Sequence, residues 1–194
     1  MGGHDIERTS ALGDRELVGL AAADVEIFAV LYRRYVHKIH AFVYRRSGSR
    51  ELAEEITATT FERALRALPT FTWRDGGFAG WLFRIAANEL TSHYRRQARA
   101  TAGRARLAVV DGGLAPSAEE GSSIEHDVDV ARLRRALVTL NPRYQQAIAL
   151  RYFADLTHEE AAAAMDCSKP VMAVTLHRAV VALRKAMAEG EGTR

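Results

Sequence analysis

Apolar residues recur at intervals of three and four along most of this chain, and nowhere do they alternate over the length of a strand. Phe28, Leu31, Tyr32, Tyr35, Ile39 and Phe42 form one series, and Leu52, Ile56, Thr60, Phe61, Ala64, Leu65 and Leu68 a second. Met172, Leu176, Ala179, Val180, Leu183 and Met187 form a third. A period near 3.6 gathers each series on one helix face, which restricts the chain to an all-α fold. Local chemistry marks the helix ends. Asp14 and Asp24 are N-cap candidates, Gly48 supplies a left-handed stop, and Pro69 ends the next helix. A helix of about twenty residues then runs from near Phe78 to Arg99.

The helical pattern breaks once. Between Ala100 and Asp127 stand Gly103, Gly112, Gly113, Pro116, Ser117, Gly121, Ser122 and Ser123. This composition predicts an extended linker between two small helical bundle domains. The expected divisions are a frayed N-terminus over 1–13, a first domain over 14–99, a linker over 100–127, a second domain over 128–188 and a tail over 189–194. Charge follows the same divisions. The net charge is only +3, yet six arginines face the single acid Glu89 between Trp81 and Arg106, and six acids lie between Asp111 and Asp129 without a Lys or Arg. A polyanion-binding surface beside an acidic tether fits that separation. One cysteine, Cys167, excludes an intrachain disulfide. No apolar run approaches the ~20 residues of a membrane span and no signal-peptide layout opens the chain, so a cytoplasmic protein without membrane insertion is expected.

The most unusual chemistry lies between Phe71 and Asn88. Both tryptophans, three phenylalanines, three glycines and two arginines are concentrated there, and His93-Tyr94-Arg95-Arg96 follows. Aromatic rings stack on unpaired bases and guanidinium groups neutralise phosphates, so the stretch suits single-stranded nucleic acid. The competing reading is a core corner, since aromatics most often fill space.

The second domain opens with an apolar face of Val130, Leu133, Leu137 and Leu140, and Asn141-Pro142 then caps and starts a helix. Thr157-His158-Glu159-Glu160 is a capping box opening a short helix through Met165. Asp166-Cys167-Ser168 makes a turn, Ser168 caps the last helix, and Pro170 falls in its first turn. A short capped helix, a three-residue turn and a longer helix make a helix-turn-helix candidate, although an ordinary αα-corner has the same outline.

Three segments resemble one family in register. Leu156-Thr157-His158-Glu159-Glu160-Ala161-Ala162, then Cys167-Ser168 and Leu176-His177-Arg178-Ala179, resemble domain four of extracytoplasmic-function RNA polymerase sigma factors. Ala53-Glu54-Glu55-Ile56-Thr57, then Thr60-Phe61 and Arg63-Ala64, resemble the polymerase-binding helix of their domain two. Trp81-Leu82-Phe83-Arg84-Ile85-Ala86-Ala87-Asn88 with Arg95-Arg96 resembles their promoter-melting helix. The resemblance implies a non-enzymatic alternative sigma factor that needs no cofactor. Its partners would be core RNA polymerase, through the beta and beta-prime subunits, promoter DNA and an anti-sigma factor.

The resemblance also implies residue roles. Glu54, Glu55, Thr59, Phe61, Glu62 and Arg66 would bind polymerase. Trp73, Arg74, Phe78, Arg84, Asn88, Ser92, Arg95, Arg96 and Arg99 would bind the −10 element, with a flipped base in the loop. Ser168, Lys169, Val171, Met172, Thr175, His177, Arg178 and Lys185 would bind the −35 element. The chain departs from the family pattern in three places. Ala58-Thr59 stands where Gln-Glu is usual, Ser92 where Asp is common, and Ala173, Val174 and Thr175 where the recognition helix is normally basic or polar. The last departure implies a weaker or unusual −35 readout. The alternative function is a stand-alone helix-turn-helix regulator, which would have no use for a base-trapping loop. His37 and His40 stand three apart on a helix, but without a nearby Cys or second His pair they define no metal site.

Overall fold

The computed structural model describes residues 11–102, 132–133 and 135–189. The expected linker over 100–127 lies almost wholly outside the described residues, as do Val130, residues 1–10 and residues 190–194. Among the described residues every regular element is helical. No described helix is long and apolar enough to cross a membrane.

Four helices form the N-terminal group: α1 (Asp14–Ala21), α2 (Val25–Ser47), α3 (Arg50–Ala67) and α4 (Gly77–Ala102). A 3-10 turn, Leu68–Thr70, ends α3 at Pro69. Asp24 caps α2 by accepting from the Glu26 amide at 2.9 Å, and Ser49 caps α3 by accepting from the Leu52 amide at 3.1 Å. Gly48 closes α2 at φ +66°, where a side chain would strain the backbone. Asp14 has a different role from the one expected. Gly13 holds the N-cap position, and the Asp14 carboxylate instead accepts from the Arg34 guanidinium and the Tyr35 hydroxyl, tying α1 to α2.

Aromatic pairs lie in the core of this group and, at the exposed Tyr32, on its margin. Tyr32 meets Phe61 edge-on at 4.7 Å, Tyr35 meets Phe78 at 5.6 Å, and Phe42 meets Phe83 at 5.4 Å. Such geometry adds roughly 0.5–1.5 kcal/mol per pair beyond area burial. Burial, with the Asp14 hydrogen bond and charge, pushes the Tyr35 phenol well above its ordinary range.

In the C-terminal group residues 135–139 are helical and α5 (Pro142–Ile148) follows, with Asn141 as its cap. A π turn, Ala149–Phe153, widens the end of α5. The helix α6 (His158–Ala164) starts from the expected capping box: Thr157 Oγ1 accepts from the Glu160 amide, and Glu160 accepts from the Thr157 amide. The last helix, α7 (Lys169–Glu189), buries Met172, Leu176 and Ala179, while Val180, Leu183 and Met187 are half-buried. Gln145 crosses to the preceding segment, donating to the Val138 and Leu140 carbonyls. The two groups pack directly together, α4 against α6 and α2 against the π turn, so their apolar residues form one continuous cluster.

Candidate nucleic-acid and polymerase interfaces

The outward side of α3 carries Glu51, Glu54, Glu55, Ala58, Glu62 and Arg66, all exposed. Their spacing of three or four aligns them on one face. Two pairs lie along it, Arg50 Nε to Glu54 at 3.1 Å and Arg66 Nη2 to Glu62 at 2.6 Å. Exposed pairs of this kind contribute about 0–1 kcal/mol, so either can be exchanged for a partner's charge. Thr59 is half-buried at the margin. Phe61 does not lie on this face. It is 4 % exposed, held between Phe28 and Tyr32 in the core, and its expected direct contact is corrected to support from beneath.

Between α3 and α4 the chain folds into an aromatic platform. Phe71 lies 4.8 Å from Trp81 and 6.0 Å from Trp73, and Phe78 lies 5.6 Å from Trp81. The Gly77 amide donates to the Arg74 carbonyl at 2.9 Å and closes the turn. Gly76 at φ +84° and Gly77 at φ +56° both need backbone freedom, and the Trp73 indole lies where a Gly77 side chain would go. Trp73 is the ring left open, 39 % exposed, with the Arg15 guanidinium 5.8 Å above it. Phe78 is only 1 % exposed, so the platform rests on it and its expected DNA contact is corrected. Phe83 is likewise buried, and Phe71 and Trp81 are half-buried.

From this platform α4 presents a polar stripe. Arg84, Asn88, Ser92, Arg95 and Arg99 follow one another at intervals of four, four, three and four, which at 100° per residue confines them to one side. Arg96 lies at the edge of the stripe. Asn88, Arg95, Arg96 and Arg99 are exposed, and Arg84 and Ser92 half-exposed. The opposite side of α4 carries Leu82, Phe83, Ala86, Ala87 and Leu90 in the core. Glu89 is buried and receives Arg63 from α3 at 2.5 Å. The acid that interrupts the arginine run therefore points away from the stripe.

Along α7, Ser168, Lys169, Val171, His177, Arg178 and Lys185 are exposed. Lys169 pairs across the turn with Glu159. That partner holds the Glu159 carboxyl below its usual range. Met172 and Thr175 are corrected. Met172 is fully buried, and Thr175 turns inward and donates to the Val171 carbonyl at 2.7 Å. The face left outward holds Val171, Ala173 and Val174 before it reaches His177 and Arg178.

Residues absent from the expected set complete the arrangement. Asp166, in the turn of the helix-turn-helix at φ +53°, receives Arg84 Nη2 at 2.8 Å. Arg15 lies 5.8 Å from the Trp73 ring, and Arg45 lies 5.0 Å from the Phe153 ring. Gly76 and Gly80 lie so close to α6 that a Cβ on either would come within 2.8 Å of its backbone carbonyl oxygens, and their spacing of four is a local signal of such an approach; the three side-chain pairs leave none.

The chain matches the Sigma-70 region 2 family over residues 31–100 and the Sigma-70 region 4 family over residues 131–183. It is 33% identical over 175 residues to the ECF RNA polymerase sigma factor BldN of Streptomyces coelicolor, covering 88% of this chain and 64% of that one. The chain thus spans less than two thirds of BldN's length. To the ECF RNA polymerase sigma-E factor of Escherichia coli it is 30% identical over 154 residues, covering 74% of this chain and 78% of that one. Among solved structures it resembles the sigma factor RpoE in complex with the anti-sigma factor NepR from Bartonella quintana, at TM-score 0.63 and 23% identity, over 83% of this chain and 96% of that one.

Proposed function

We propose that this chain, which belongs to the family of extracytoplasmic-function RNA polymerase sigma factors, recruits core RNA polymerase to a subset of promoters and helps open them. Residues 14–99 serve as the polymerase-binding and −10 domain, residues 128–188 as the −35 domain, and residues 100–127 as the tether. It works on cytoplasmic polymerase, and the polymerase rather than this chain carries the chemistry. The observation that carries the reading is the continuity of the Trp73 platform with the Arg84–Arg99 stripe. A ring open to solvent can stack on an extruded base, while the arginines beside it hold the strand's phosphates.

The β and β′ subunits meet the outer face of α3. With Ala58 exposed and Thr59 half-buried, polar contacts there fall to Glu54, Glu55, Glu62 and Arg66. On α7 the reading of the −35 element falls to Lys169, His177 and Arg178, with Val171 suited to thymine methyl groups. A stand-alone duplex regulator would leave the first domain's region 2 match without a role. RpoE of Bartonella quintana is held by an anti-sigma factor, and a similar partner is proposed here. Co-elution with purified core polymerase on gel filtration tests the polymerase contact. Loss of the complex on reversing the charges of Glu55 and Glu62 supports the α3 face, and retention of full affinity rejects it.

A further inference from the structure

The last helix, α7, turns an apolar surface outward. Val171, Val174 and Val181 are 44 %, 50 % and 51 % exposed. Packing from below fixes the rotation of the helix. Met172, Leu176 and Ala179 are buried in the core, and Thr175 is turned inward, donating to the Val171 carbonyl. The valines therefore stand on the side left to solvent.

Spacing sorts that side into three columns. Val181 follows Val174 by seven residues, and Arg184 follows His177 and Lys185 follows Arg178 by the same interval. Seven residues are about two turns and roughly 10 Å of rise, so each pair runs along the helix. At about 100° per residue, the His177 column lies about 60° to one side of Val174 and the Arg178 column about 40° to the other. All four basic side chains are exposed. Lys185 lies 3.7 Å from Glu189 in an exposed pair, and among the described residues Arg178 and Arg184 have no carboxylate partner. Val171 stands one turn before Val174, so both valines fall in the first two turns of α7.

An apolar ridge between two basic rails fits the major groove of duplex DNA. The groove is about 12 Å wide, and an α-helix with its side chains is about 10–12 Å across. With α7 seated there, one rail faces the phosphates of each strand and the ridge faces the base edges. Phosphate contacts position a helix and add affinity without carrying sequence. Discrimination then falls to the ridge, at the N-terminal turns that reach the bases in a helix-turn-helix. Valine neither donates nor accepts a hydrogen bond, and the apolar group that the major groove displays is the C5 methyl of thymine. A valine over that methyl removes both from water. Over a polar base edge it displaces water and offers no partner, which opposes the other bases.

We propose that Val171 and Val174 are the specificity-determining residues of this helix, and that they select duplex DNA by the methyl groups of thymines at neighbouring base pairs. His177 and Arg178, given to the −35 element above, hold phosphates in this arrangement, together with Arg184 and Lys185. The place of that site in a promoter rests on the sigma-factor reading; the methyl dependence of duplex binding does not.

Uracil in place of thymine removes the C5 methyl and keeps every hydrogen-bonding group of the base pair. Duplexes with a randomised segment are selected with the full chain in complex with core polymerase, or with the full chain alone where no complex forms. Anisotropy titrations then compare a selected duplex with versions carrying uracil at one position each, for wild type, Val171→Ala and Val174→Ala. Both sites are exposed and alanine is the stronger helix former, so the variants keep the fold. Wild type should lose about fourfold in affinity for each contacted methyl, the effect of returning one such group to water. Each valine variant should bind the thymine duplex less tightly and lose its sensitivity to uracil at one position, so that the two changes together weaken binding little more than either alone. Arg178→Ala with Arg184→Ala should weaken all duplexes alike, reduce the salt slope and leave the uracil effect intact. Wild-type binding indifferent to uracil at every position, or a uracil effect that neither valine variant relieves anywhere, overturns the proposal. Selection of no duplex in either format overturns it as well and leaves the ridge to an acidic protein partner. Methyl-dependent binding by a chain that forms no complex with core polymerase would reject the sigma-factor reading and uphold the ridge.

Discussion

Arg63 Nη1 on α3 lies 2.5 Å from the carboxylate of Glu89 on α4, and that carboxylate is almost wholly buried. One bond therefore ties the helix assigned to polymerase to the helix assigned to promoter DNA. Removing one member of such a pair leaves a charge with neither water nor partner, whereas removing both does not. Arg63→Ala should destabilise the fold by about 2 kcal/mol in urea melts, below the 3–5 kcal/mol of a fully buried pair because the Arg63 side chain is 57 % exposed. Arg63→Met with Glu89→Leu should recover most of the loss. A double variant no more stable than Arg63→Ala would show that the pair does not act as a unit.

Trp73 is the open ring of the platform and contributes little to the core, so Trp73→Ala should keep the fold. Loss of one stacked base costs roughly 1–3 kcal/mol, and it should appear in open-complex formation rather than in closed-complex binding. Permanganate reactivity of unpaired thymines reads the difference. Equal reactivity in variant and wild-type holoenzyme would place base capture elsewhere.

Arg95 and Arg96 lie exposed at the far end of the stripe, where they can displace counterions from a promoter strand. Arg95→Ala with Arg96→Ala should reduce the slope of log affinity against log salt by about 1.4 to 1.8 for the holoenzyme, because each phosphate contact contributes about 0.7 to 0.9. An unchanged slope would take both arginines off the DNA.

Tyr35 couples stability to alkaline pH. Its phenol is held above its ordinary value by burial, by the bond to Asp14 and by the charges of Asp14 and Glu160. A group whose folded pKa is raised contributes fully below its unfolded value and less as pH rises beyond it. Stability should therefore decline above about pH 10, the ordinary tyrosine value. Tyr35→Phe should flatten that decline while costing some stability at neutral pH; Tyr94, also raised by burial, retains a smaller share. Identical alkaline slopes in urea melts of the two proteins would contradict this.

What was legible in the sequence was local. Asp24, Asn141 and the Thr157–Glu160 box cap their helices because each side chain reaches an amide two or three residues away, and Gly48 ends α2 for an equally local reason. Met172 is more instructive. It stands in the same 3.6-residue series as Leu176 and Ala179, which marks it as core, while the family pattern drew it toward DNA; burial follows the period. Phe78 and Phe61 repeat the point, since large rings on a helix of this size go to the interior even when they border a binding surface. Asp14 misled because its partners, Arg34 and Tyr35, lie a helix away. The Arg84–Asp166 bond joins residues 82 positions apart across two groups of helices, and no spacing rule reaches that far. The division into two groups was legible from composition, but not their packing against each other.

Transcription by purified core polymerase, with and without this chain, tests the central claim most directly. Run-off reactions on a pool of promoter-bearing fragments should yield discrete transcripts only when the full chain is added, and Trp73→Ala should weaken them without abolishing the complex with polymerase. A chain that binds duplex DNA by itself, yet adds no transcript and does not associate with core polymerase, would contradict the account.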